Sequence, residues 1–300
     1  MDYNKRILVI GNGFDLDLGL NTTYKAFADS DYFKKLYPYV IGDNLIANLI
    51  KQSSTNWFDI EESIADYVRR KEAAKDFELV EMDEKFFTEF KYIFADFIEH
   101  EFTESPYKDN IRKNSLASRI IQEQKDNKIF DKVYSFNCFD YSLNDFVSYG
   151  NIGDIYVDFV HNKEGYFILG ICEDDCTTKD YSFLIKKNQN YEKTNIVEDL
   201  ECATDIVIFG HSLNRIDKGY FEKLFNSHFY GKNITIITRD TESVHKIENN
   251  ILMMESSLAS INNNSNLSFI ETKKYDMKDK QEIAKIEKML LSFKDRVLPL

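Results

Sequence analysis

A short hydrophobic run, Ile7–Ile10, leads directly into the sequence Gly11-Asn12-Gly13-Phe14-Asp15. When a strand ends in Gly-x-Gly before a helix, backbone N–H groups at the helix start face outwards and the glycines let a phosphate approach closely. The third glycine of the dinucleotide fingerprint is missing, as is the Gly-Lys-Ser/Thr of a P-loop. The turn therefore predicts a nucleotide phosphate site, and the alternative is a tight connection that binds no ligand.

Two acids, Asp15 and Asp17, lie just beyond the glycines. Asp is common at helix N-caps and in Asx turns, so a structural role is one interpretation. The functional interpretation is a contact with the ribose of a ligand or with a metal-bound water. The sequence leaves both interpretations open.

Polar residues also follow three other hydrophobic runs. Asn137 comes after Lys132–Phe136, His161 after Ile155–Val160, and His211-Ser212 after Asp205–Phe209. Because open α/β sheets bind ligands outside the carboxyl ends of their strands, we expect Asn12, Asn137, His161 and His211 to line one cleft. Each residue taken alone is equally well explained as a polar side chain that closes a strand.

These motifs together resemble a known family. They are Gly11-Asn12-Gly13-Phe14-Asp15-Leu16 with Gly19-Leu20, Thr22-Thr23-Tyr24 and Phe27, then Asn56-Trp57-Phe58-Asp59-Ile60-Glu61, Ser135-Phe136-Asn137, and Gly210-His211-Ser212-Leu213 with Asp217 and Phe221. In the same order, they resemble motifs of the AbiH family of bacterial phage abortive-infection proteins. The resemblance extends to about residue 240.

AbiH proteins are in turn similar to the sirtuin-like domains of phage-defence NAD hydrolases. This resemblance implies that Asn137 orients the nicotinamide ribose or a water, and that His161 is the base acting on a ribose hydroxyl. It also implies a binding site for NAD or a related nucleotide, formed by Gly11, Asn12, Gly13, Phe14, Asp15, His211 and Ser212. No metal is expected. The chain departs from the sirtuin-like pattern in three places. Cys138-Phe139-Asp140 follows Asn137 where the pattern has Tyr-Asp, and Asn162 follows His161 where the pattern has Gly. Asp15 also places a negative charge near the phosphate turn, where it opposes an anionic ligand.

Two functions of different classes fit these residues. One is a defence effector that hydrolyses NAD or a related nucleotide. The other is a non-catalytic nucleotide-binding sensor whose helical insertion engages a phage or host protein. The partners considered are the nucleotide, a phage or host protein trigger, and a second copy of the chain.

The elements that position these residues follow from hydrophobic patterning. The runs Ile7–Ile10, Lys132–Phe136, Asp205–Phe209 and Asn233–Thr238 are short and rich in β-branched residues, as buried parallel strands are. Helical patterns follow at Gly219–Tyr230, Thr241–Leu258 and Lys278–Phe293. The alternation predicts an α/β protein with a Rossmann-like (sirtuin-like), largely parallel sheet. Ile155–Val160 and Tyr166–Gly170 are predicted to form a hairpin or two edge strands.

The interval 30–128 is charged, aromatic and helical in pattern, which predicts a helical insertion or subdomain within a single domain spanning 1–300. It contains Trp57 and Glu61. Trp57 is interpreted as a core anchor at a helix start. Glu61 either favours that helix start or serves as an acid in the ligand cleft.

Composition excludes several classes of protein. The net charge is −13 and no basic run is present, so broad nucleic-acid binding is not expected. The spacing of Cys172 and Cys176 is not that of a zinc site. No run approaches the roughly 20 apolar residues of a membrane span. We expect a cytoplasmic protein with reduced thiols and no membrane association.

Overall fold

The computed structural model divides the chain into two compact units. It describes residues 5–54, 59–103, 112–137, 157–163, 166–189, 194–225, 231–254 and 266–294. The sheet unit comprises Met1–Leu20, Asn110–Val160 and Lys193–Leu300, and the helical unit comprises Asn21–Asp109 and His161–Glu192. The division of the chain into a single domain with a subdomain at 30–128 stays a prediction.

The strands in the described part of the chain are β1 (Arg6–Ile10), β2 (Lys132–Ser135), β3 (Val157–Phe159), β4 (Asn162–Lys163), β5 (Tyr166–Phe167), β6 (Asp205–Phe209), β7 (Asn233–Thr238) and β8 (Asn266–Glu271). Six of them form one parallel sheet in the order β3-β2-β1-β6-β7-β8. Ile10 at the end of β1 is in register with Ser135 of β2 and Phe209 of β6. The predicted Rossmann-like α/β fold is therefore confirmed.

Burial explains why these segments are strands. Every residue of β1 and β6 is buried, as expected for strands covered on both faces. The edge strand β3 is only half-buried, and the first residues of β8 are exposed or half-buried. The continuous hydrophobic runs of the sequence therefore mark the central strands most clearly.

The predicted hairpin between Ile155–Val160 and Tyr166–Gly170 is wrong. Strand β3 pairs in parallel with β2 instead. Tyr166–Phe167 pairs antiparallel with Asn162–Lys163, which lies between the two segments of the predicted hairpin. The alternative of an edge strand holds for β3, because pairing with β2 extends the parallel sheet at its edge.

The α-helices among the described residues are α1 (Asn12–Asp17), α2 (Tyr24–Ala28), α3 (Asp31–Lys34), α4 (Leu45–Ser53), α5 (Ile60–Ala74), α6 (Val80–Thr103), α7 (Leu116–Asn127), α8 (Ile196–Cys202), α9 (Lys218–Phe225), α10 (Thr241–Met253), α11 (Thr272–Asp276) and α12 (Lys280–Lys294). Helices α3 to α7 lie within the interval 30–128, between β1 and β2 in the chain, so the helical character predicted for this interval is confirmed. No helix among the described residues is long and apolar enough to cross a membrane.

Aromatic packing holds the helical unit together. The ring of Phe27, on α2, lies 4.9 Å from that of Phe94 and 5.4 Å from that of Phe97, both on α6. Phe90 and Phe94 are one helical turn apart and stack in parallel. Their spacing places these rings on one face of α6, where each aromatic pair adds about 0.5–1.5 kcal/mol beyond the burial of its surface.

Candidate functional site

The sheet has the strand order of a classical dinucleotide-binding fold. Counted along the chain, its strands lie in the order third, second, first, fourth, fifth, sixth. In such sheets the order reverses between the first and fourth strands, here β1 and β6, and ligands bind outside the carboxyl ends at this point. We call the turns that follow β2, β1 and β6 the carboxyl edge.

The turns after β1 and β6 are joined by their backbones. The N–H of Gly11 donates to the carbonyl of Phe209, and the N–H of Gly13 donates to the carbonyl of Gly210, each at 2.9 Å. A Cβ on Gly13 would lie 2.6 Å from Cα of Gly210. Gly210 has φ +70°, and a Cβ there would overlap the backbone of Gly13 and Phe14.

We call Gly11, Gly13 and Gly210 the glycine seam. The seam requires glycine because no side chain fits between the two turns. The N–H groups of Gly11 and Gly13 already donate to protein carbonyls. These two glycines would therefore help to bind a phosphate by letting it approach the backbone closely, and not by donating hydrogen bonds to it. Asn12, between them, is exposed and starts α1.

A hydrogen bond connects the ends of β1 and β2. Nδ2 of Asn137 donates to Oδ1 of Asp15 over 2.9 Å. Both residues are buried, with 2% of Asp15 and 4% of Asn137 exposed. The N–H of Asn137 donates to Oγ of Ser135, the last residue of β2. Two residues that the sequence singled out separately are therefore direct partners.

Asp15 is not a helix cap, because α1 begins at Asn12 with Gly11 as its N-cap. Asp17 does cap a helix, although a different one from its own. Its Oδ2 accepts the N–H of Ala117 over 2.8 Å, in the first turn of α7. Burial raises the pKa of Asp17, and the backbone hydrogen bond from Ala117 opposes the rise only in part.

His211 is held at both ring nitrogens. Nδ1 accepts the N–H of Leu213 at 3.0 Å, so the ring proton is assigned to Nε2, which lies 3.3 Å from Oδ2 of Asp217. The imidazole also contacts the rings of Phe136, 4.4 Å away, and Phe221, 4.9 Å away. His211 is therefore a fixed, buried residue that ties the turn after β6 to the end of β2 and to α9.

The remaining predicted residues of the carboxyl edge differ in exposure. Ser212 is exposed, and its carbonyl accepts Nδ2 of Asn250. Phe14 is buried, and its ring meets that of Phe209 edge-on at 5.1 Å, so its side chain belongs to the core. Among the predicted polar residues of the carboxyl edge, Asn12 and Ser212 are thus exposed, whereas Asp15, Asn137 and His211 are buried.

His161 belongs to the helical unit, whereas the other predicted site residues belong to the sheet unit. It is buried, and its carbonyl accepts the N–H of Ile168 at 2.8 Å. Its role as a base stays a prediction.

Glu61, also in the helical unit, is the second residue of α5 and forms a buried ion pair with Lys186 at 2.7 Å. Sequence reasoning missed Lys186, because nothing in its local sequence marks it as a partner of a residue so distant in the chain. Trp57 lies outside the described residues.

Among the residues that the structure describes, no group of three His, Cys, Asp or Glu side chains is placed to hold a metal ion. Three cysteines of this part of the chain, Cys172, Cys176 and Cys202, carry free thiols.

Comparison with protein-family models gives a match. A family model described as bacteriophage abortive infection AbiH matches residues 7–240. The matched region contains the glycine seam, Asp15, Asn137 and His211. No curated protein matches the chain.

Proposed function

Because the chain belongs to the AbiH family of bacteriophage abortive-infection proteins, we propose that it acts in phage defence by binding and hydrolysing NAD or a related nucleotide at the carboxyl edge. The role in abortive infection follows from the family. The nucleotide and the reaction are the proposal.

The observation that carries the proposal is the strand order. It places the reversal between β1 and β6, where Asn12 and Ser212 follow neighbouring strands, with Asn137 at the end of the next strand, β2. Polar residues at this point of an open parallel sheet are the usual setting of a nucleotide site. The resemblance to sirtuin-like NAD hydrolases supports NAD as the ligand.

The proposed reaction depends more on the correct orientation of the water and the ribose than on a strongly reactive catalytic group. A water oxygen bonds to C1′ of the ribose, and the bond from C1′ to the nicotinamide nitrogen breaks, so that nicotinamide leaves with the bonding electron pair. The proton of the water passes to a base, the role that the resemblance assigns to His161. Asn137 orients the water or the ribose, and positioning of this kind can contribute several kcal/mol to the barrier.

The non-catalytic sensor is the second candidate, and a specific observation favours it. The ring nitrogens of His211 and the N–H groups of Gly11 and Gly13 are already bonded within the protein. A site built from such groups can recognise a nucleotide by shape without moving a proton.

The test is an assay of the purified protein with NAD, in which released nicotinamide is measured by chromatography and binding by calorimetry. Asn137→Ala and His161→Ala should each lower turnover by about 10² to 10⁴. Asn127→Ala, which replaces an exposed asparagine of the sheet unit, is the matched control and should leave turnover unchanged. Binding without nicotinamide release would favour the sensor, and absence of nucleotide binding would contradict both functions.

A further inference from the structure

The hydrogen bond between Asp15 and Asn137 fixes the orientation of the Asn137 side-chain amide as well as the distance between the ends of β1 and β2. Asp15 lies in the first turn of α1, and Asn137 lies two residues beyond β2. A carboxylate can only accept hydrogen bonds, whereas the side-chain amide of Asn donates at one end and accepts at the other. The amide of Asn137 must therefore turn Nδ2 towards Asp15, which sends Oδ1 to the opposite side.

Burial makes this orientation rigid. With so little of either side chain exposed, water cannot easily replace the bond, and a hydrogen bond to a charged acceptor is about twice as strong as a neutral one. The N–H of Asn137 is itself held by Oγ of Ser135 at 3.2 Å. Main chain and side chain of Asn137 are thus both fixed.

We propose that Asp15 is a positioning residue, which makes Asn137 a hydrogen-bond acceptor towards the ligand. This inference rests on the proposed function and specifies it further. The ligand group that meets Asn137 is a donor, either a ribose hydroxyl or the reacting water. A phosphate oxygen is excluded there, because it is another acceptor and because the carboxylate of Asp15 repels an anion. The phosphates of the nucleotide then lie towards Asn12 and Ser212.

Three variants test this role. In Asp15→Asn the new amide can accept or donate, so the orientation of Asn137 is no longer fixed, and kcat should fall by about 10². Asn137→Asp places two carboxylates together and should lose turnover as well. The combined swap again pairs one acid with one amide and leaves a carboxylate oxygen of residue 137 as the acceptor, so kcat should recover to within about tenfold of the unmodified protein.

The matched control is Asp17→Asn, which removes another buried carboxylate of α1 without touching Asn137. It should leave kcat unchanged. A purely structural role for Asp15 makes a different prediction: activity would follow the folded fraction in every variant, and folded Asp15→Asn protein would keep full kcat. That result would overturn the proposal.

A second measurement does not depend on turnover. The side-chain amide signals of Asn137 in a nitrogen–proton NMR spectrum are identified by their loss in Asn137→Asp. They should shift in Asp15→Asn and stay in place in Asp17→Asn. If the unmodified protein neither binds nor hydrolyses NAD, the proposed function fails, while this spectrum still decides whether Asp15 orients Asn137. Unshifted signals in Asp15→Asn would overturn that role.

Discussion

Buried or half-buried acids lie at both ends of the sheet's strands, and their hydrogen-bond partners differ. We call the end at which the strands begin, opposite the carboxyl edge, the amino edge. At the amino edge Asp199, on α8, accepts hydrogen bonds from Lys5, from Lys132 at 2.9 Å and from Tyr134 at 2.5 Å. At the carboxyl edge Asp15 accepts from a neutral side-chain amide, and Asp17 accepts from a backbone N–H.

In both Asp199 and Asp17 burial raises the pKa and the hydrogen-bond partners lower it, but the balance between the two falls in opposite directions. Burial raises the pKa of Asp199, but the hydrogen bonds from Lys5, Tyr134 and Lys132 outweigh it and lower the pKa to about 2. For Asp17, burial prevails and the pKa is raised. The amino edge therefore gains stability from its acid at neutral pH, whereas the carboxyl edge keeps an acid that costs stability.

The largest effect is expected at the glycine seam. Gly210→Ala adds a Cβ that overlaps the backbone of Gly13 and Phe14, at a φ of +70° that favours glycine. Neither backbone can move without breaking the bonds between the two turns, so the free energy of unfolding should fall by about 3 kcal/mol or more.

Gly231→Ala is the matched control for the seam. Gly231 has φ +78°, but a Cβ there meets no atom of the described residues within 4 Å. Its cost should be the backbone strain alone, about 1–2 kcal/mol. Urea denaturation of both variants gives the comparison. Equal losses would mean that the close contact between the turns contributes nothing.

A smaller loss in the free energy of unfolding is expected when an acid of the amino edge is replaced. Asp199→Asn removes an acid whose folded pKa, about 2, lies below the ordinary value of 3.8. The stability that Asp199 provides is present above about pH 4 and is lost as the pH falls towards 2, so the variant should lose about 2 kcal/mol at neutral pH. Denaturation at neutral pH and at about pH 3 should show the difference between the two proteins shrinking in acid. A difference that does not change with pH would show that the charge of Asp199 is not its cause.

The smallest effect should come from Asp17→Asn, and its pH dependence should have the opposite sign. Because the pKa of Asp17 is raised, its contribution is favourable in acid and is lost as the pH rises through that pKa. Asparagine keeps an acceptor for the N–H of Ala117 without a charge. At neutral pH the variant should match or exceed the unmodified protein by up to about 1 kcal/mol. A clear loss of stability at neutral pH would show that the carboxylate is needed as a cap.

Much of the sheet could be predicted from sequence because its central strands are buried on both faces. Continuous hydrophobic runs such as those of β1 and β6 have few other interpretations. The edge strands are harder, since β3 is short and half-buried and carries no distinct periodicity. For that reason the partner of Tyr166–Phe167 was assigned wrongly.

The sequence predicted which residues belong to the candidate site, but it did not predict the hydrogen bonds between them. Gly11, Asp15, Asn137 and His211 all follow hydrophobic runs, which is a local signal. The bond from Asn137 to Asp15 joins residues 122 positions apart, and only the strand order brings them together. The same holds for Asp17, whose partner Ala117 lies far along the chain and was not predicted.

Hydrogen–deuterium exchange with and without NAD tests the central claim most directly, because it reports on both edges of the sheet in one experiment. We predict that saturating NAD slows exchange in peptides that cover the turns after β1, β2 and β6, including Asn12, Asn137 and Ser212. Peptides of the amino edge around Lys5 and Asp199 should exchange as before. Unchanged exchange at the carboxyl edge, with NAD present at saturation, would contradict the account.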